Sequence, residues 1–124
     1  MNNVQSPTKP SITLVVIESG KAKHYSLKSK SQWTMGRQVP DCKPDIPLHS
    51  EIAGRRHGEF ILVDGMLFYS DGGSLNGTFL NGKKLLRGMG GIAAPVFIND
   101  GDVLQIDSDR FADPRKVRIE ISIK

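Results

Sequence analysis

An all-β sandwich is what the punctuation of this chain predicts. Thirteen glycines and seven prolines interrupt its 124 residues every few positions, which leaves little room for helices. The longest stretch free of both, residues 21–35, does not repeat its apolar side chains at helical spacing. Towards the C-terminus strict alternation appears instead. Val117, Ile119, Ile121 and Ile123 face one way, with Arg118, Glu120 and Ser122 the other.

Nine short strands follow from this pattern, and turn signals separate them. The first, Ile12–Glu18, is built on the apolar run 12–17 and ends at Ser19-Gly20. Strands at 24–27, 32–35 and 45–48 come next. Asp64-Gly65 joins a strand at 59–63 to one at 67–70. Asn81-Gly82 closes a strand at 78–80, and Asp100-Gly101 precedes Val103–Ile106. The last strand spans Val117–Ile123. Asp64-Gly65 and Asn81-Gly82 sit where two-residue hairpin turns need positive φ. Residues 1–11, with two prolines and little apolar content, read as a flexible tail before a domain over 12–124. Residues 87–95 read as a Gly-rich insertion forming a long surface loop.

Composition narrows the function. A chain with 38% hydrophobic and 24% charged residues is globular, and its longest apolar run is too short to cross a bilayer. Its start lacks the basic-then-apolar pattern of a secretory signal, so a cytoplasmic location away from membranes is expected. A single cysteine, Cys42, excludes an internal disulfide and a multi-thiolate metal site. The formal charge of +4 favours acidic or phosphorylated partners. Nucleic acid is not expected, because the only tight arginine pair is Arg55-Arg56 and aromatics are just 6%.

Enzyme motifs fail one by one. Gly77-Thr78-Phe79-Leu80-Asn81-Gly82-Lys83 has P-loop glycine spacing, but Lys84 stands where Ser or Thr must meet magnesium. Ser74 has Gly72 before it but Asn76, not glycine, two residues after, so no nucleophile elbow forms. His24, His49 and His57 occupy unrelated contexts, and Asp107-Ser108-Asp109 lacks the glycine of a calcium loop. No catalytic residue, metal or cofactor is expected. What remains is Gly36-Arg37, Gly54-Arg55-Arg56-His57-Gly58 and Asp71-Gly72-Gly73-Ser74-Leu75-Asn76-Gly77-Thr78. Arginine forks match a phosphate dianion, and glycine turns bring backbone N–H groups close to a ligand. The arginines could equally be solvated surface charges, with Ser74 and Asn76 serving only their own turn.

Together with Asp45-Ile46-Pro47-Leu48, Asn81-Gly82 and the run from Asn99 to Ile106, these motifs resemble a forkhead-associated (FHA) domain from about Ile12 to Ile123. The resemblance implies a sandwich of about eleven strands whose loops at one end bind phosphothreonine peptides. It assigns peptide or phosphate contacts to Arg37, Gly54, Arg55, Arg56, Ser74, Leu75 and Asn76. Gly36, His57, Gly73, Gly77, Thr78 and Asn81 would support the loops. One departure stands out: the family's usual Ser-Arg-x-His has a phosphate-binding serine where this chain has Gly54. A hydrogen bond to a charged group is worth roughly 1.5–3 kcal/mol, so its loss weakens binding by about one to two orders of magnitude. Only Gly54's own N–H or Arg56 remains to compensate. The expected function is a non-enzymatic adaptor for threonine-phosphorylated segments in a Ser/Thr kinase pathway. The alternative is a degenerate FHA domain acting as a phosphate-independent scaffold.

Overall fold

The computed structural model describes residues 10–72, 76–85, 94–108 and 113–124. Among them, eleven strands form two sheets. They are β1 (Ile12–Glu18), β2 (Lys21–Leu27), β3 (Gln32–Arg37), β4 (Ile46–Leu48), β5 (Gly58–Val63) and β6 (Met66–Asp71). After these come β7 (Thr78–Leu80), β8 (Lys83–Lys84), β9 (Val96–Ile98), β10 (Val103–Ile106) and β11 (Val117–Ile123). One sheet runs β2-β1-β11-β10-β7-β8, the other β4-β3-β5-β6-β9. The fold is the expected all-β sandwich.

Inward positions follow the period of two. Leu14 and Val16 on β1, Phe60 on β5, Tyr69 on β6, and Ile119 and Ile121 on β11 are buried between the sheets. Phe60 and Tyr69 face each other across β5 and β6, ring centroids 5.1 Å apart. Asp64-Gly65 and Asn81-Gly82 both take positive φ at each residue, as a two-residue hairpin matched to strand twist requires. At Asp100-Gly101 only the glycine does.

Four features depart from the sequence expectation. β2 begins at Lys21 rather than 24, because Lys21 to Leu27 pair residue for residue with β1. β3 continues to Arg37 through a parallel pairing with β4, Gly36 opposite Pro47. The short strands β8 and β9 are additional. Of the loop expected over 87–95, only Ala94 and Pro95 lie within the described residues, and nearly all of the 1–11 tail lies outside them.

Strand direction decides where the polar motifs meet. Met35 pairs with Gly58, Gly58 with Asp71, and Ile106 with Thr78. The end of β3, the loop into β5 and the β6–β7 connection therefore share one end of the sandwich.

Candidate functional site

The end of β3 lies directly on the β4–β5 loop. A Cβ at Gly36 would stand 2.0 Å from the Arg55 carbonyl oxygen, so no other residue fits there. Next to it, the Arg37 N–H donates to the Gly54 carbonyl at 2.8 Å. The half-buried Arg37 side chain carries a buried Nε with no hydrogen-bond acceptor among the described residues. Such an orphaned cationic donor calls for an explanation, and an anionic ligand supplies one.

The β4–β5 loop is pinned along its length. At its start the Glu18 carboxylate accepts N–H groups of His49 and Ser50, each at 2.9 Å. In the middle, Ile52 and Ala53 are buried in the core. At its end His57 is fully buried and joins a directed chain of hydrogen bonds. Gly54 N–H donates to His57 Nδ1 at 3.1 Å, which makes Nδ1 the unprotonated nitrogen. His57 Nε2–H then donates to Thr78 Oγ1 at 2.8 Å, and the Thr78 hydroxyl donates to Asp71 Oδ2 at 2.9 Å. Burial pushes the imidazole pKa down to about 4, the Asp71 charge opposing it only in part. His57 is therefore a neutral brace.

The β6–β7 connection is tied to that loop twice. Gly72 N–H donates to the His57 carbonyl at 2.8 Å, and a Cβ at Gly72 would stand 2.3 Å from the Arg56 carbonyl oxygen. Asn76 Nδ2 donates to the Ile52 carbonyl at 2.9 Å. One amide N–H and the side-chain carbonyl of Asn76 remain beyond that bond. Gly77 takes φ 84° with Lys84 Cε beside it.

Thus Gly36, Arg37, Gly54, Arg55, Arg56, His57, Asn76, Gly77 and Thr78 share one end of the molecule. Gly73, Ser74 and Leu75 lie outside the described residues. Asn81 sits elsewhere: at the far end of β7 it bonds Asp102 and the Val103 N–H, locking β7 to β10. The Gly54 N–H, a candidate to replace the missing serine hydroxyl, is already given to His57. Among the described residues no acid forms an ion pair with Arg37, Arg55 or Arg56. Arg55 and Arg56 are exposed and border a concavity of about 240 Å³ that does not include Arg37, Gly54 or Asn76.

Sequence reasoning missed Asp71 as a buried anchor. Leu67, Tyr69 and Asp71 share one parity on β6, so the period of two aimed a carboxylate inward and was the available signal.

The family model for the FHA domain matches residues 33–107, more than half of the chain. This chain belongs to the FHA-domain family. Its fold is similar to that of full-length yeast Pml1p, with TM-score 0.76 and 21% identity over 98% of this chain and 87% of that one. The FHA domain of an Arabidopsis thaliana hypothetical protein gives 0.74 and 22%, covering 98% and 92%. The N-terminal FHA domain of Saccharomyces cerevisiae Rad53p, solved with a phosphothreonine peptide, gives 0.70 and 24%, covering 90% and 94%. No curated protein matches the chain.

Proposed function

We propose that this FHA domain is a non-enzymatic adaptor that docks threonine-phosphorylated segments of other proteins, made by a Ser/Thr kinase in the cytoplasm. The observation that carries the reading is the buried, acceptor-less Nε of Arg37, set against Gly54 in a loop already pinned by Glu18, His57 and Asn76. A rim held in place before ligand arrives spends little binding energy on ordering loops. Charge-assisted hydrogen bonds then supply most of the affinity. The Rad53p domain, solved with a phosphothreonine peptide, supports the ligand class. The test is a polarisation titration of a phosphothreonine peptide against its unphosphorylated twin. Binding of the first alone, lost in Arg37→Ala, is expected; equal binding of both overturns the reading.

A second reading has its own observation. With no hydroxyl at Gly54 and its N–H already donated to His57, the loop lacks one of the family's usual phosphate donors and keeps only Arg56 to compensate. A phosphate-independent scaffold fits that loss. Millimolar inorganic phosphate separates the two, since it shifts the NMR signals of Arg37 only if the anion site is functional.

A further inference from the structure

The outer face of the five-stranded sheet changes character in rows away from the rim. At the loop end lie Lys43, Arg55 and Arg56, bordering the 240 Å³ concavity. The first row across the sheet is polar: Thr34 pairs with Glu59, and Glu59 with Ser70. In the next row Gln32 stands opposite Ile61, and from there the row is apolar, with Ile61 opposite Phe68 and Phe68 opposite Phe97. The Phe68 and Phe97 rings pack in a tilted arrangement, centroids 5.6 Å apart. Val63 opposite Met66 completes the patch. Val63, Met66 and Phe97 stand 46%, 45% and 47% exposed. Single exposed hydrophobics need no explanation, but three exposed ones adjoining the half-buried Ile61 and Phe68 on a solvent face mark an interaction surface.

We propose that this face binds one flank of the same phosphorylated partner, with acidic residues near the phosphothreonine and apolar ones beyond. The inference rests on the phosphothreonine reading above. Two observations choose this occupant. The cations of the concavity outnumber its one solvent-facing acid, Glu59, whose carboxylate accepts from Gln32, so the near positions attract negative charge. The concavity also shares Arg55 and Arg56 with the proposed rim, so a chain leaving the rim along the sheet meets cations first and the apolar rows next. Successive rows are two residues apart, about 7 Å, so an extended segment reaches the aromatic row some four to six residues from the phosphothreonine. Apolar side chains seated there would cover Phe68 and Phe97.

A degenerate peptide library with fixed phosphothreonine and about seven randomised positions on each flank tests this against the full chain. Expected is selection of Asp or Glu close to the phosphothreonine and of Leu, Ile, Phe or Met about four to six positions out on the same flank. The double variant M66K/F97K should abolish the distal selection and weaken the best selected peptide about tenfold. For a truncated peptide that ends before the distal positions, the same double variant should leave affinity within about twofold of the parent's. V63K/M66K reads the same patch independently, and melting curves check both variants for folding. Phospho-dependent selection with unselected distal positions, or with variants that select as the parent does, overturns this inference and leaves the phosphothreonine reading standing. A dimer of the free domain that F97K dissociates also overturns it, because a second copy then owns the face. Selection without any requirement for phosphate defeats the earlier reading, and this one with it.

Discussion

Gly54 is free to be something else. It does not take positive φ, and a Cβ there would meet nothing closer than 3.7 Å, an ordinary contact with His57. Gly36 is the opposite case, since its missing Cβ is what admits the Arg55 carbonyl. The backbone therefore does not dictate glycine at 54, and a serine can enter without strain. Gly54→Ser is expected to strengthen phosphothreonine-peptide binding about tenfold or more by restoring one charge-assisted hydrogen bond. Its unfolding free energy should stay within about 0.5 kcal/mol of the parent. Isothermal titration and urea melts of the two proteins check both halves. An unchanged affinity would mean that the missing hydroxyl is not what limits the site.

The Gly54–His57–Thr78–Asp71 chain joins the β4–β5 loop to β7 and β6 through a neutral imidazole. The unfolded histidine titrates near 6.5 and the folded one near 4, so the unfolded chain binds the extra proton between those values. Stability is then fully present above pH 6.5 and falls as pH drops towards 4, by about 3 kcal/mol at most. Asp45, whose carboxylate is held below its usual range by the hydrogen bond from Lys30, acts in the same direction only at lower pH. A urea midpoint that stays flat from pH 7 to pH 5 would contradict the brace. Asn81 works on a different join, β7 to β10, with φ 50° and two side-chain hydrogen bonds. Asn81→Ala should cost about 2 kcal/mol in a thermal or urea melt, because it loses those bonds in a left-handed turn. Phosphopeptide affinity should not change; a parallel loss of affinity would make Asn81 a support of the loops after all. The same contrast explains what the sequence made legible. Hairpins with Asp-Gly and Asn-Gly, and strands such as β11 with alternating isoleucines, announce themselves. β8 has only two lysines, β9 has three residues after Pro95, and β2 has an edge of lysines paired to β1, so none carries a hydrophobic period. The site residues were readable as turn chemistry. Their hydrogen-bond partners were not, because His57 to Thr78 and Asn76 to Ile52 span more than twenty residues and depend on strand register.

At the scale of the molecule, the family match and the folding unit differ. Residues 33–107 contain every described loop of the candidate rim, yet β1, β2 and β11 lie outside them. Those strands are not trimmings. β1 and β11 are interior strands of the six-stranded sheet, paired to each other, and β11 also pairs with β10. Among the described residues, seven of the nineteen buried hydrophobics go with them: Ile12, Leu14, Val16, Leu27, Val117, Ile119 and Ile121. At about 1.5–3 kcal/mol per buried side chain, their loss removes roughly 10–20 kcal/mol of burial. A whole domain is stable by only about 5–15 kcal/mol. Glu18, which holds the start of the β4–β5 loop, is lost as well. A fragment of residues 33–107 is therefore expected not to fold cooperatively and to bind neither phosphorylated nor unphosphorylated peptide specifically. The full chain should unfold in one transition. Circular dichroism melts and amide dispersion in NMR decide the matter. A fragment with a sharp transition and dispersed amides would show that the five-stranded sheet, with β7 and β10, sustains the rim by itself. Glu18 and the interior pair β1–β11 would then contribute stability without shaping the site.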